Sequence, residues 1–223
     1  MTTQVHAPAP VAPQATVRGW AAPAALAVAG VLFLVYPALR PAGDAVPATT
    51  AAAFAGWTWP IAHLAGVGGF VLVTAGLLGM RDRLAGTPGR QLAGWALGVW
   101  GAGAALVLPY YGAEAFSLHA LGATVTDTAT LLALTEAVRM GPIQMTVFGA
   151  GLVLLAVGAI VAALAAARSG MLPRWSGAVF ALGFALYLPQ FWFPMELRIT
   201  HGALVAVGCI VLAAALRRAR PLR

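Results

Sequence analysis

Acidic residues and histidines are scarce in this chain, six and four among 223 residues, and two of each recur in step. Glu114-Ala-Phe-Ser-Leu-His119 is answered 82 residues later by Glu196-Leu-Arg-Ile-Thr-His201, with the same spacing inside each pair. Arg198 lies within the second pair, and His63 stands alone in an apolar run. Imidazole with carboxylate is a ligand set for zinc, copper, iron or haem iron, and the same groups can hydrogen-bond a polar ligand. A spacing of five turns an α-helix by about 140°, so the Glu and His of one pair do not share a helical face. A preformed metal motif of the H-E-x-x-H kind is absent.

The elements that must position these groups are membrane helices. The chain is 61% hydrophobic and 9% charged, against about 25% charged in soluble domains. All 13 basic residues are arginine, and they flank apolar runs singly or in short clusters, as the positive-inside rule expects and as a nucleic-acid surface would not require. Six runs, 20–39, 57–80, 92–111, 143–167, 175–193 and 199–216, are long enough to cross roughly 30 Å of hydrocarbon at about 1.5 Å per residue. The fold expected is an all-α integral membrane protein with six transmembrane helices in one domain over 20–216. A disordered tail at 1–19, holding His6, precedes it, and a basic tail at 217–223 follows. Run 20–39 also admits a cleaved signal peptide, although it exceeds the roughly 7–15 apolar residues of a usual signal core. Trp57, Trp59, Tyr110, Tyr111, Trp175 and Trp192 stand at run ends, the headgroup level that amphipathic rings favour.

Ten arginines fall in the terminal and alternate connecting segments, and only Arg40, Arg139 and Arg198 fall in the others. That imbalance predicts both termini in the cytoplasm of a plasma membrane, the bacterial inner membrane, in a multi-pass arrangement. Asp44, Glu114, Asp127, Glu136 and Glu196 then lie outside. The stretch 112–141 is too polar for a seventh span, and it predicts two short outer helices, the second capped by Thr126 or Asp127. The 82-residue offset also aligns Pro60-Ile61 with Pro142-Ile143, which predicts a parallel internal duplication.

His63, Glu114, His119, Glu196, Arg198 and His201 thus gather at the outer rim as one expected site for a small ligand, a lipid or a partner, in a non-catalytic protein. For Arg198, pairing with the neighbouring acid is the simpler role. The alternative is a redox protein in which His63 and His201 hold haem b or a transition metal, with Met145 as a conceivable soft ligand. No cofactor is favoured. The middles of the spans offer little beyond Thr74, Thr146 and Cys209, which argues against ion pumping. The lone Cys209 excludes an intramolecular disulfide and any Cys-based metal motif. Gly94, Gly98, Gly101, Gly103, Gly149, Gly151 and Gly183 predict close helix contacts, within the chain or with a second copy or membrane partner.

Overall fold

The computed structural model of the chain describes residues 15–219, with side chains from Trp20 onward. His6 and most of the expected N-terminal tail, and the last residues 220–223, lie outside that range. All regular structure among the described residues is helical, without a strand. In order the helices are α1 (Ala15–Leu39), α2 (Thr50–Ala55), α3 (Thr58–Arg83), α4 (Arg90–Gly112), α5 (His119–Thr124), α6 (Thr128–Met140), α7 (Pro142–Arg168), α8 (Ala178–Ala185) and α9 (Met195–Arg218). A single π turn, Ala113–Leu118, welds α4 to α5.

Five helical stretches are long and apolar enough to cross a membrane: Trp20–Leu39, Thr58–Arg83, Arg90–Thr124, Pro142–Arg168 and Met195–Arg218. Their outward faces are apolar as well. Along α7, Val153, Val157, Ile160 and Leu164 are each more than 40% exposed. A helix apolar on every side belongs in lipid or in a large core, and five such long apolar helices with apolar outer faces suit a multi-pass membrane protein.

The run expected at 175–193 is a correction, since it is not one long helix. Its regular helix α8 has eight residues and ends at Ala185, four before Pro189, whose ring displaces the carbonyl of the residue four back. The chain continues through a turn into a short 3₁₀ segment, Pro189–Trp192. It nevertheless runs antiparallel beside α9 along most of that helix's length. Phe180 meets Gly208, Gly183 meets Val205, Tyr187 packs on His201 and Phe191 lies under Arg198.

Two other expectations need correction. The first helix begins at Ala15 and takes in residues assigned to the tail. The first of the two outer helices expected in 112–141 is a continuation of α4, while the second, α6, is separate and is capped by Asp127, whose carboxylate accepts from the Thr130 amide at 2.8 Å. The Thr130 hydroxyl, donating to the same oxygen at 2.6 Å, and then that amide bond hold the exposed Asp127 carboxyl below its usual value.

Packing closes the helices into a ring in which neighbours in sequence are neighbours in space: α1 on α3, α3 on α4, α4 on α7, α7 on α8, α8 on α9, and α9 back on α1. Aromatic side chains fill the ring. Phe33, Phe70, Trp100, Phe180 and Phe184 are at most 2% exposed, and Phe33 meets Phe70 edge-on at 4.9 Å, as Trp100 meets Phe184 at 4.6 Å. Glycines set the helix separation. The backbone at Gly103 faces the Gly151 carbonyl, and that at Gly158 faces Trp100, so closely that a β-carbon would stand about 2.8 Å from backbone atoms. Small residues permitting such approach are the usual device of membrane helix pairs.

The two ends of the ring differ in charge. At one end Arg83 donates to the Leu216 carbonyl, Arg217 lies over Trp20, and the α3–α4 turn packs on Ser169 at the end of α7. Gly86 and Gly170, with φ of +79° and +68°, turn the chain back there in a conformation that other residues resist. Arg40, Arg139 and Arg198 lie at the opposite end, where the site is found.

Candidate functional site: a cationic cavity at one end of the ring

Glu114 owes its position to the π turn. One extra residue in a helix rotates everything beyond it by about 100°. The turn follows Pro109, which has no amide hydrogen to keep the regular ladder going. Within it Glu114, Ala115 and Leu118 are buried, while Phe116 is 61% exposed. Trp59, wholly buried, clasps the turn by donating its indole N–H to the Glu114 carbonyl at 2.7 Å.

The Glu114 carboxylate is 6% exposed and cannot stay charged there alone. Arg139, from the last turn of α6, meets it with two hydrogen bonds, Nε to Oε1 at 2.7 Å and Nη2 to Oε2 at 2.9 Å. The planar guanidinium suits this two-point grip. Nη2 of Arg139 also reaches Asp44 Oδ2 at 3.3 Å, and the same oxygen accepts from Arg40 Nη2 at 2.6 Å. Both guanidiniums lie over the Trp59 ring, Arg40 at 5.2 Å and Arg139 at 5.5 Å, where the ring's negative face favours a cation.

The result is an alternating chain, Arg40–Asp44–Arg139–Glu114, tied to one indole. Burial works against the Arg40 charge, but Tyr36, Asp44 and Glu114 more than offset it, and its pKa is raised. Arg139 is raised likewise, burial being outweighed by the hydrogen bonds and charge of Glu114. A base with a raised folded pKa loses its stabilising charge only as pH rises through that value, far into the alkaline range, so both cations persist through neutral pH.

His63 completes the chain. It is 1% exposed, packed on Trp59 at 4.5 Å and on Tyr36 at 5.3 Å. Nδ1 lies 2.8 Å from the Trp59 carbonyl, which only accepts, so we assign the hydrogen to Nδ1. In neutral His63 the other nitrogen, Nε2, then carries a lone pair. It faces Glu114 Oε2 at 3.5 Å, beyond hydrogen-bonding range, acceptor toward acceptor. Among the described residues three buried side-chain polar atoms have no hydrogen-bond partner: His63 Nε2, Arg40 Nε and Ser176 Oγ. Two of the three belong to this cluster.

The cluster opens onto a cavity of about 230 Å³, lined by Arg40, His63, Glu114 and Arg139, by Tyr36, Tyr110 and Tyr111, and by Met140, Phe148, Phe191 and Arg198. Arg198 anchors its rim by donating to the carbonyls of Phe191 at 2.6 Å and Phe193 at 2.9 Å. Carbonyl oxygens leave its charge uncancelled. Three arginines against Glu114 and the adjoining Asp44 leave the cavity with about one net positive charge when His63 is neutral. Its volume is below the roughly 300–1,000 Å³ of drug-sized ligand sites.

Of the six residues expected to form one site, the structure brings together His63, Glu114 and Arg198. The other three lie elsewhere. His119 directs Nδ1 to the Phe54 carbonyl at 2.8 Å and packs on Trp57, holding α5 to α2. Glu196 is exposed in the first turn of α9. His201 is buried with Nε2 2.7 Å from the Gly183 carbonyl. The two Glu–His pairs are therefore not equivalent in space. Arg198 does not pair with Glu196, and the two residues of the haem alternative, His63 and His201, aim their Nε2 atoms at Glu114 and Gly183 respectively. Tyr111 and Tyr187, whose hydroxyls are 2.9 Å apart, lie between them, Tyr111 against His63 and Tyr187 against His201. No three His, Cys, Asp or Glu side chains among the described residues stand close enough to hold one metal ion.

Asp44, Arg40 and Arg139 were absent from the expected set, yet the sequence carried a signal for the two arginines. Arg40, Arg139 and Arg198 are the three arginines that fall outside the segments holding the other ten, and all three line this one cavity.

No family model matches the chain, no curated protein matches it, and no solved structure does.

Proposed function

We propose that this protein crosses the membrane six times with both termini in the cytoplasm, and that its outer end binds a small anion in the cavity among Arg40, Arg139 and Arg198, without catalysis. The sixth crossing is the broken segment around α8. Its antiparallel course beside α9 supports that reading, as does the concentration of ten arginines in the terminal and alternate connecting segments of the sequence. An alkaline phosphatase domain, which is active only outside the cytoplasm, inserted after Thr126 would be active and one inserted after Gly86 inactive. Equal activity at both positions would overturn the topology.

One observation carries the ligand reading: three arginines surround a small cavity in which buried Arg40 Nε and His63 Nε2 lack partners. An oxyanion offers acceptors to Arg40 and Arg198, and one bearing an O–H also offers a donor that His63 Nε2 and Glu114 can share. Monohydrogen phosphate has both, and it serves as the probe. Calorimetric titration of inorganic phosphate into the protein purified in an uncharged detergent is expected to show a single site. A hydrogen bond to a charged group contributes about 1.5–3 kcal/mol, so Arg198→Gln should weaken binding about 10- to 100-fold. Unchanged affinity in that variant, or the absence of binding to the parent protein, would remove the reading.

A further inference from the structure

The cationic cavity has an apolar neighbour. A groove of about 200 Å³ runs over Leu106 and Pro109 of α4 and Ile143 and Val147 of α7, and it shares two residues with the cavity, Tyr110 and Phe148. These two rings stack at 4.1 Å with planes 17° apart, so one aromatic pair forms the wall between a charged compartment and an apolar one. The groove contains almost no free polar group, since the Gln144 amide that borders it donates to the Ala137 carbonyl. Ile143, 77% exposed, stands at its open side, on the faces of α4 and α7 that look out from the ring.

Building on the anion-binding reading, we infer that the ligand is a lipid with a phosphomonoester headgroup. Its phosphate sits among Arg40, Arg198 and His63, and the first part of its chain passes the Tyr110–Phe148 wall into the groove. Charge complementarity selects the headgroup. The adjacency of the two compartments across one aromatic pair selects an amphiphile over a free ion, because a lipid at this level of the bilayer places charge and chain on the two sides of such a wall. A second protein chain would not need the cationic cavity, and a soluble anion would not need the groove.

The test compares three probes on the purified full chain: inorganic phosphate, dihexanoyl phosphatidic acid and dihexanoyl phosphatidylcholine. Burying even two methylenes of a monomeric lipid suffices for about a tenfold gain, so the phosphatidic acid is expected to bind at least about tenfold more tightly than phosphate. Phosphatidylcholine should bind more weakly than phosphatidic acid. Val147→Trp, and separately Ile143→Trp, fill the groove from outside and should bring phosphatidic acid down to the affinity of phosphate while phosphate itself is unaffected. Phosphatidic acid binding no more tightly than phosphate, or unaffected by both tryptophans, overturns the lipid and leaves the anion site standing, provided Arg198→Gln still weakens phosphate. Indifference of both ligands to Arg198→Gln removes the anion site and the lipid with it.

Discussion

Replacing Arg139 with methionine is expected to lower the stability of the purified protein by about 3–5 kcal/mol, the cost of stripping one partner from a buried ion pair. Methionine keeps much of the side chain's apolar volume, so the loss is electrostatic. Glu114, 6% exposed, would be left with His63 Nε2 at 3.5 Å and no cation in bonding contact. Asp44 would lose its second arginine at the same time. Denaturant unfolding of the variant in detergent, beside the parent protein, measures the difference. A loss below about 1 kcal/mol would mean that water or a proton reaches Glu114 in the folded state, and the buried network would not be what holds this end together.

The complementary change should cost less. Glu114→Gln removes the charge that needs a partner, while Arg139 keeps Asp44 at 3.3 Å and the faces of Phe54 and Trp59. Adding Glu114→Gln to Arg139→Met should therefore recover part of the stability that the single change loses. The coupling from that double-mutant cycle separates the pair from the two side chains taken singly.

The spans were legible because their signal is additive. Each of the five long helices sums some twenty apolar residues, and no local detail overrides such a sum. The broken segment at 175–193 has the same composition, and only Pro189 hints that its helix stops at Ala185. The site was legible in part, for a different reason. His63 and Glu114 attract attention as rare residues, but rarity says nothing about direction, and direction decides. A π turn changes where Glu114 points without leaving any mark in periodicity, whereas Glu196 at the same offset begins an ordinary helix and faces outward. Asp44 depends on a fold of the chain between α1 and α2 that no repeat or pattern announces. The informative signal was the set of arginines that break the charge rule. Each sits at the end of the ring away from the other described arginines, and each finds partners there: Asp44 for Arg40, Glu114 for Arg139, and two carbonyls for Arg198.

The seam between α4 and α7 supplies the second large expected effect, because Gly158→Leu should separate the two helices. A β-carbon at 158 would stand 2.8 Å from the Trp100 nitrogen and 3.0 Å from its α-carbon, and these are backbone atoms that cannot rotate away. Overpacking of this kind costs about 1–3 kcal/mol where side chains can yield, and here the upper end is expected because they cannot. Trp100 would carry the displacement inward, since its indole donates to Thr74 at 3.1 Å and packs edge-on against Phe184 at 4.6 Å. The displacement should also travel along the seam to the stacked Tyr110 and Phe148 at the cavity wall, so phosphate affinity should fall together with stability. Gly101→Leu and Gly149→Leu are the controls on the same two helices. Apart from its own stretch of helix, neither glycine has an atom within 4 Å of where its β-carbon would be, and both changes should stay within about 0.5 kcal/mol of the parent, the usual span for a substitution that touches no specific feature. Equal losses at 158, 101 and 149 would show that leucine itself, and not the close approach of α4 to α7, sets the cost.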